Sequence, residues 1–376
     1  MTLSAIEGVT VDTQTSFADM TTLRIGGTPR ATVHCASTES AVAALRALDE
    51  AGTDYLVLGG GSNLVVAEGE LDVVVVRLDF EDIDVSVASG VLRAEAGATW
   101  DDVVDLSVQC GLGGIECLSG IPGDAGAVPV QNVGAYGAET SDVLTRVYLY
   151  EKSTRQASWV PASELELSYR YSNLKFTGRG VVLAIELQLS TDGLSKPLRF
   201  GQLTRNPGER LPVAAVRDKV LALRRSKGMV LDPSDHDTWS AGSFFTNPIV
   251  DASLADAIQS SVRTYRGDAD ADSMPRHPVP PRPGSPSSNT SSPNSHPQEK
   301  LSAAWLIERA GFVKGYPGAE SGARATLSTK HTLALTNRGE ATADDIVALA
   351  REIRAGVQEA FGVTLVPEPI WLGVEI

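Results

Sequence analysis

A chain of 376 residues, 42% of them hydrophobic, is long enough for two or three domains and a substantial core. Its 47 acidic against 32 basic residues give a formal charge of −15, which excludes a general nucleic-acid binder while leaving a few local cations to grip an anionic small molecule. Cys35, Cys110 and Cys117 have neither metal-ligand spacing nor histidine neighbours, and no targeting pattern or membrane-length apolar run is found, so the expectation is a reduced, cytoplasmic protein without a metal.

Taken in order, Thr32 to Cys35 predicts a short strand, and Ser37 or Thr38 caps a helix whose apolar positions Val42, Leu45 and Leu48 share a face before Gly52 ends it. Leu56 to Leu58 predicts a second strand. It runs into GGGSN, Gly59 to Asn63, and β-like segments follow at Leu64 to Val66 and Val73 to Val76. The unit lacks the Lys-Ser/Thr of a P-loop, and it lacks the last glycine and the helix of a dinucleotide fingerprint. Two readings survive: a nest of amides for a pyrophosphate, with Ser62 and Asn63 adding hydrogen bonds, or a plain β-turn.

Val91 to Ala96 is the next predicted strand, and Thr99 with Asp102 predicts a capping box opening a helix through Val103, Leu106 and Cys110 to Gly111. Ser119 to Gly137, SGIPGDAGAVPVQNVGAYG, is crowded with glycine, proline and small residues, and Asp124 is its only charge. It is too irregular for a helix and too poor in charge for an exposed linker. Its glycines suggest main chain lying against something flat or anionic, a bound cofactor, or else a tightly packed core turn. Val143 to Tyr150 and Val181 to Leu189 predict long antiparallel strands, with SYRYSNLKF, Ser168 to Phe176, between them. Arg170 there sits among aromatics beside Ser172 and Asn173, either gripping a carboxylate in bidentate fashion or standing as a solvated charge.

A helix is predicted from Val213 to Ser226, ending in Arg224, Arg225 and Lys227, cations that complement its dipole or meet a phosphate. AGSFFTNPIV, Ala241 to Val250, lacks the nucleophile elbow and evident triad partners, so Ser243 reads as a proton donor rather than a covalent nucleophile. From Gly267 to Pro297 the composition shifts to Pro, Ser, Asn and Asp, which predicts a disordered surface insertion over 268–297. Leu301 to Gly311 predicts a helix with Trp305 and Ile307, Lys314 follows in a glycine-containing loop, and Thr332 to Asn337 predicts a strand. Thr342 with Asp345 opens a long amphipathic helix to Phe361, closed by Gly362. In the final TLVPEPIWLGVEI, Glu368 lies between two prolines near Trp371, a poor place for an ionised carboxylate without a partner or a task.

Four separated segments, GGGSN at 59–63, SGIPGDAGAVPVQNVGAYG at 119–137, SYRYSNLKF with AGSFFTNP, and PEPIWLG at 367–373, together resemble the UDP-N-acetylenolpyruvoylglucosamine reductase family in its longer, type I form. The resemblance implies an α+β fold. Residues 1–80 and 81–228 would form a two-lobed FAD-binding region of the vanillyl-alcohol-oxidase (PCMH) type, 229–366 a smaller α+β substrate-binding domain, and 367–376 a strand returning to the active site. It also implies NADPH-dependent reduction of UDP-N-acetylglucosamine enolpyruvate to UDP-N-acetylmuramate through FAD, in peptidoglycan precursor synthesis, by a monomer that needs no membrane.

Carried over residue by residue, the resemblance makes Arg170, Ser243 and Glu368 catalytic. It gives FAD contacts to Gly59, Gly60, Gly61, Ser62, Asn63, Ser119, Gly120, Ile121, Pro122, Gly123, Gly126, Asn132, Gly134, Ala135 and Tyr136, and sugar-nucleotide contacts to Tyr136, Lys227, Asn247 and Lys314. The chain departs from the family pattern at Phe200, where a tyrosine is usual, at Thr246 for a lysine, at His331 for a glutamine, and in PEPIWLG itself. Two other readings stand beside this one: a different FAD-dependent oxidoreductase of the same fold, such as a sugar or lactone oxidase, and a non-catalytic sugar-nucleotide-binding module.

Overall fold

The computed structural model describes residues 2–199, 201–279 and 297–376, so Phe200 and residues 280–296 of the expected insertion lie outside the described residues. The first sheet has the order Val9–Asp12, Thr28–Cys35, Glu70–Leu78, Tyr55–Val57, with the last three strands parallel. Its central strand reads Val73–Val76 without a polar residue because both of its faces are covered. The intervening helix Thr38–Glu50 starts at a capping box made by Ser37 and Ser40, and it buries Ala41, Ala44, Leu45 and Leu48.

The second sheet is antiparallel throughout, in the order Gln156–Pro161, Leu144–Glu151, Gly180–Gln188, Val91–Glu95, Ile83–Ser86. The two long strands pair as expected, with Val147 opposite Ile185. Gln156–Pro161 was not expected as a strand; it is a mostly exposed edge and has no apolar face to announce it. The helix Trp100–Gln109 packs Trp100, Val103 and Val104 beneath this sheet, but the expected Thr99 capping box does not form. Thr99 instead bridges Asp124, and Trp100 N–H donates to the Gly123 carbonyl at 2.9 Å, so pairing with the glycine-rich segment takes over the helix entry.

Helix Val213–Ser226 matches the expected bounds and leads to a third region. There Ile249–Asp251, Gln298–Leu301 and Arg276–Pro278 form a small antiparallel sheet packed with helices Ala252–Arg266, Ala303–Arg309 and Ala343–Phe361. The Thr342–Asp345 capping box and the left-handed Gly362 bound the last helix as expected. The helix expected from Leu301 is shorter, because Gln298–Leu301 is strand and Ser302 provides the cap.

Disorder over the whole of 268–297 is corrected. Asp268–Asp272 is helical and Arg276–Pro278 is strand, with Ala271 and Met274 buried. Composition misled because the acidic run has partners: Asp268 and Asp272 pair with Arg263, Asp270 with Arg309, and Arg276 with Glu299. The strand expected over Thr332–Asn337 narrows to Leu335–Asn337, paired with Ala325–Leu327. Among the described residues no helix is long and apolar enough to cross a membrane.

Candidate active site

Loop 59–63 connects a strand of the first sheet to Leu64–Val66, and it meets the 119–137 segment face to face. A Cβ on Gly60 would lie 2.9 Å from Gly123 Cα, and one on Gly61, whose φ is +60°, would collide with the Met20 carbonyl oxygen. The glycines thus permit two main chains to touch. Ser62 Oγ donates to the Pro122 carbonyl at 3.0 Å and Asn63 Nδ2 to Gln131 Oε1 at 3.0 Å, so both side chains tie the loops together.

Other residues of the segment serve the protein in the same way. Ser119 Oγ donates to the Glu116 carbonyl, and Gly120 N–H donates to Asp101 Oδ1 at 2.6 Å. A Cβ on Gly120 or Gly126 would press on Leu221 or on Ala96. Part of the glycine content is therefore core packing, the second of the two readings. Buried Asn132, at φ +45°, donates through Nδ2 to Glu139 and to the Ser168 carbonyl while its Oδ1 accepts from Ser141 N–H. That contact braces the turn in which Ser168 and Tyr171 exchange backbone hydrogen bonds around Arg170.

Arg170 is held at φ +55°, a conformation that non-glycine residues adopt only where their surroundings enforce it. Its Nη2 donates to the Gly134 carbonyl at 2.8 Å. Its Nε lies 3.3 Å from Glu368 Oε1, an ion pair without hydrogen-bond geometry, so Nε has no hydrogen-bond partner. Burial pushes the Glu368 carboxyl up from its ordinary pKa, against the pull of Arg170 and Lys175. Lys175, absent from the expected site residues, is itself pushed down by burial. Five positions after Arg170 in the same loop, it offered no signal beyond proximity.

Glu368 arrives from the far end of the chain. Ile370–Leu372 pairs in parallel with Leu64–Val66, and Ile370 N–H donates to the Asn63 carbonyl at 2.9 Å. The backbone of Glu368 donates to the Phe244 carbonyl at 2.8 Å, which places Ser243 beside it. Phe244 and Phe245 anchor that strand-like stretch in the third core, Phe244 edge-on to Trp371. Thr246 Oγ1 donates to the Val366 carbonyl, tying the same two segments once more.

A cleft of about 510 Å³ joins these parts. Arg170, Ser243 and Glu368 all line it, together with Gly59–Asn63, Ile121, Pro122, Gly123, Gly126, Gly134 and Ala135. Ser119, Gly120, Asn132, Tyr136, Lys227, Asn247 and Lys314 do not line it. Asn247 Oδ1 accepts the Ala303 N–H at the start of a helix. Lys227 Nζ stands 6.0 Å from the Tyr136 ring, and burial pushes the Tyr136 phenol up. Arg224, on the last turn of its helix, does line the cleft and has an Nε with no partner among the described residues.

Two groups outside the expected site shape its chemistry. Asp124 lines the cleft and is pushed up to about 6, chiefly by burial. His331 Nε2 lies 3.4 Å from Ser243 Oγ. Cys35 and Cys117 are free thiols pushed up to about 12 by burial, so neither is a ready nucleophile.

The cleft suits a large anionic cofactor with a flat ring: glycine loops, apolar walls, and guanidinium groups of Arg170 and Arg224 whose Nε atoms have no hydrogen-bond partner among the described residues. The sequence agrees, because residues 29–153 match the family profile described as FAD binding domain. The chain is of the FAD-binding flavoprotein class, with an α+β fold. Residues 232–372 match UDP-N-acetylenolpyruvoylglucosamine reductase, C-terminal domain. The chain is 62% identical to UDP-N-acetylenolpyruvoylglucosamine reductase 2 of Corynebacterium glutamicum, over 100% of this chain and 97% of that protein. It is 59% identical to the reductase of Corynebacterium diphtheriae, over 96% and 90%. The chain belongs to the UDP-N-acetylenolpyruvoylglucosamine reductase family. Its fold is shared with the crystal structure of the reductase (MurB) from Thermus caldophilus, at a TM-score of 0.62 and 24% identity over 97% of this chain and 99% of that one.

Proposed function

We propose that this chain reduces UDP-N-acetylglucosamine enolpyruvate to UDP-N-acetylmuramate with NADPH, through FAD held between residues 1–80 and 81–228, as a step of peptidoglycan precursor synthesis. Residues 229–366 would hold the sugar nucleotide, and 367–376 return Glu368 to the cleft. The observation that carries this reading is the convergence of Arg170, Glu368 and Ser243, from three distant segments, on one cleft walled by both glycine loops.

When bound, FAD would carry the reducing equivalents of NADPH to the enolpyruvyl double bond. The protein's part is electrostatic and protonic. Arg170 and Lys175 offer positive charge to the substrate carboxylate, and burial raises the Glu368 carboxyl, favouring the protonated form that would donate a hydrogen bond there instead of repelling it. Ser243 delivers a proton to the carbon beside that carboxylate from one fixed face, which sets the product's configuration. Lys227, Lys314 and Tyr136 are the proposed partners of the diphosphate and sugar, and the monomer is the proposed functional unit.

A visible spectrum followed by anaerobic NADPH titration and substrate addition tests the reading. Flavin bleached by NADPH should regain its colour on addition of UDP-N-acetylglucosamine enolpyruvate. Reoxidation by air alone would point to an oxidase of the same fold, and a colourless protein that takes up no FAD would point to a binding module.

A further inference from the structure

His331 has no part in the mechanism above, yet it is the side chain that touches Ser243, at 3.4 Å. The distance is long for a hydrogen bond, a common state of catalytic contacts before substrate closes the site. The loop that presents it is firmly built: His331 N–H donates to Ser328 Oγ, Ala334 N–H to the His331 carbonyl, and Phe244 N–H to the Leu333 carbonyl at 2.8 Å. The last bond locks the histidine loop to the residue after Ser243.

The charged groups facing the imidazole are all cations, Lys227 and Arg224 from the end of helix Val213–Ser226 and Lys314 from the loop after Phe312. Nearby Lys330 is engaged by Asp235, and Asp237 by Thr329 and Arg338. The facing cations are poorly compensated. Among the described residues Lys227 donates to Gln202 Oε1 at 3.4 Å and makes no ion pair, and Arg224 Nη2 donates to the Met229 carbonyl while its Nε has no hydrogen-bond partner. Among the described residues Lys314 makes no ion pair. Burial and this repulsion hold the imidazole down at about 4, so it is neutral in the free protein near neutral pH.

We infer that His331 is a positioning residue that couples the arrival of a diphosphate at Lys227, Lys314 and Arg224 to the proton carried by Ser243. The inference rests on the sugar-nucleotide reading given above. An anion at the three cations removes the repulsion and sets a compensating charge against burial, the larger cause, and the imidazole takes up a proton from solvent. Nε2–H then donates to Ser243 Oγ, which turns the serine hydroxyl's own hydrogen toward the substrate. In the transfer, the Ser243 O–H bond breaks and a C–H bond forms with the electron pair of the carbanionic carbon. Oγ receives the Nε2 proton, and neutral imidazole remains. Departure of the product's diphosphate restores the repulsion, so His331 recharges only with the next substrate. One proton enters per turnover, the number that NADPH reduction of a carbon–carbon double bond requires.

The test uses the FAD-loaded protein with labelled histidine and UDP as the probe. Without UDP the His331 resonance, assigned by its loss in His331→Gln, should titrate near pH 4. With saturating UDP its midpoint should rise by about one to three pH units, the size expected when one or two charges are neutralised near a buried group. Calorimetry near pH 6 in buffers of different ionisation enthalpy should show proton uptake on UDP binding, and His331→Gln, which keeps an N–H donor but cannot charge, should bind UDP without it. UDP that binds while the His331 midpoint stays put, or equal proton uptake in His331→Gln, would overturn the coupling. No heat of UDP binding at all would overturn the diphosphate assignment, and the coupling with it.

Discussion

Where residues 59–63 and 119–137 line and back the cleft, polar groups end on the protein itself: Ser62 on Pro122 and Asn63 on Gln131 at its surface, Ser119 on Glu116 and Asn132 on Ser168 behind it. By contrast, Arg170, Lys175 and Arg224, which line the cleft, and Lys227, outside its lining, keep cationic groups only partly matched by acceptors. The first side achieves shape through backbone contact and is locally self-sufficient. The second carries charge that the fold does not neutralise, and such a group is stable only because it is half solvated or awaits an anion. Rigidity and reactivity are thereby assigned to different walls.

Substitutions on the two walls should fail in different assays. The largest effect is expected from Ser243→Ala, which should slow flavin reoxidation by substrate about 10²–10⁴-fold while leaving reduction by NADPH close to normal, measured by stopped-flow absorbance. Unimpaired reoxidation would remove Ser243 from the reacting wall. Gly61→Ala should act through the fold instead, lowering stability by about 2–4 kcal/mol because the new methyl meets the Met20 carbonyl at a positive φ. Denaturant melts of the two variants separate these outcomes.

Asp124 probes the quiet wall more gently. Its folded pKa of about 6 exceeds the ordinary 3.8, so the native state binds more protons than the unfolded chain between those values, and stability falls as pH rises from 4 through 6. Asp124→Asn should recover about 1–3 kcal/mol at pH 8 and nothing at pH 3.5, read from melting curves at both. A variant that melts lower at pH 8 would show the carboxylate to be stabilising. The smallest change is expected from Glu368→Gln. Ionisation of the raised Glu368 carboxyl sets a like charge beside the substrate carboxylate, so reoxidation should fall as pH rises through its folded pKa. The glutamine should hold the rate within about tenfold at neutral pH, as expected when a hydrogen-bond donor is kept, and abolish that fall.

Much of the scaffold was legible because local signals coincide with the elements they announce. The Thr342–Asp345 box and Gly362 bound their helix, and the apolar run of Val73–Val76 marks a strand covered on both faces. The misses have a common cause, which is that tertiary partners outweigh local pattern. Arg263, Arg309 and Glu299 order residues that composition assigns to disorder, and pairing with 123–124 displaces the Thr99 cap. Arg170, Ser243 and Glu368 each stand out singly in the sequence, but their convergence was legible only through the resemblance to a family, since nothing near Asn63 indicates that Glu368 will lie against it, 305 positions away. The Ser243–His331 contact was invisible for the same reason, although both residues had been noted singly.

The pairing of Ile370–Leu372 with Leu64–Val66 also sets an order on biogenesis. A ribosome will have released loops 59–63 and 119–137 long before it releases Glu368, so a nascent chain that stops ahead of residue 368 has the cradle without that carboxyl. On the proposed mechanism, a nick just ahead of that strand would separate holding a flavin from using it.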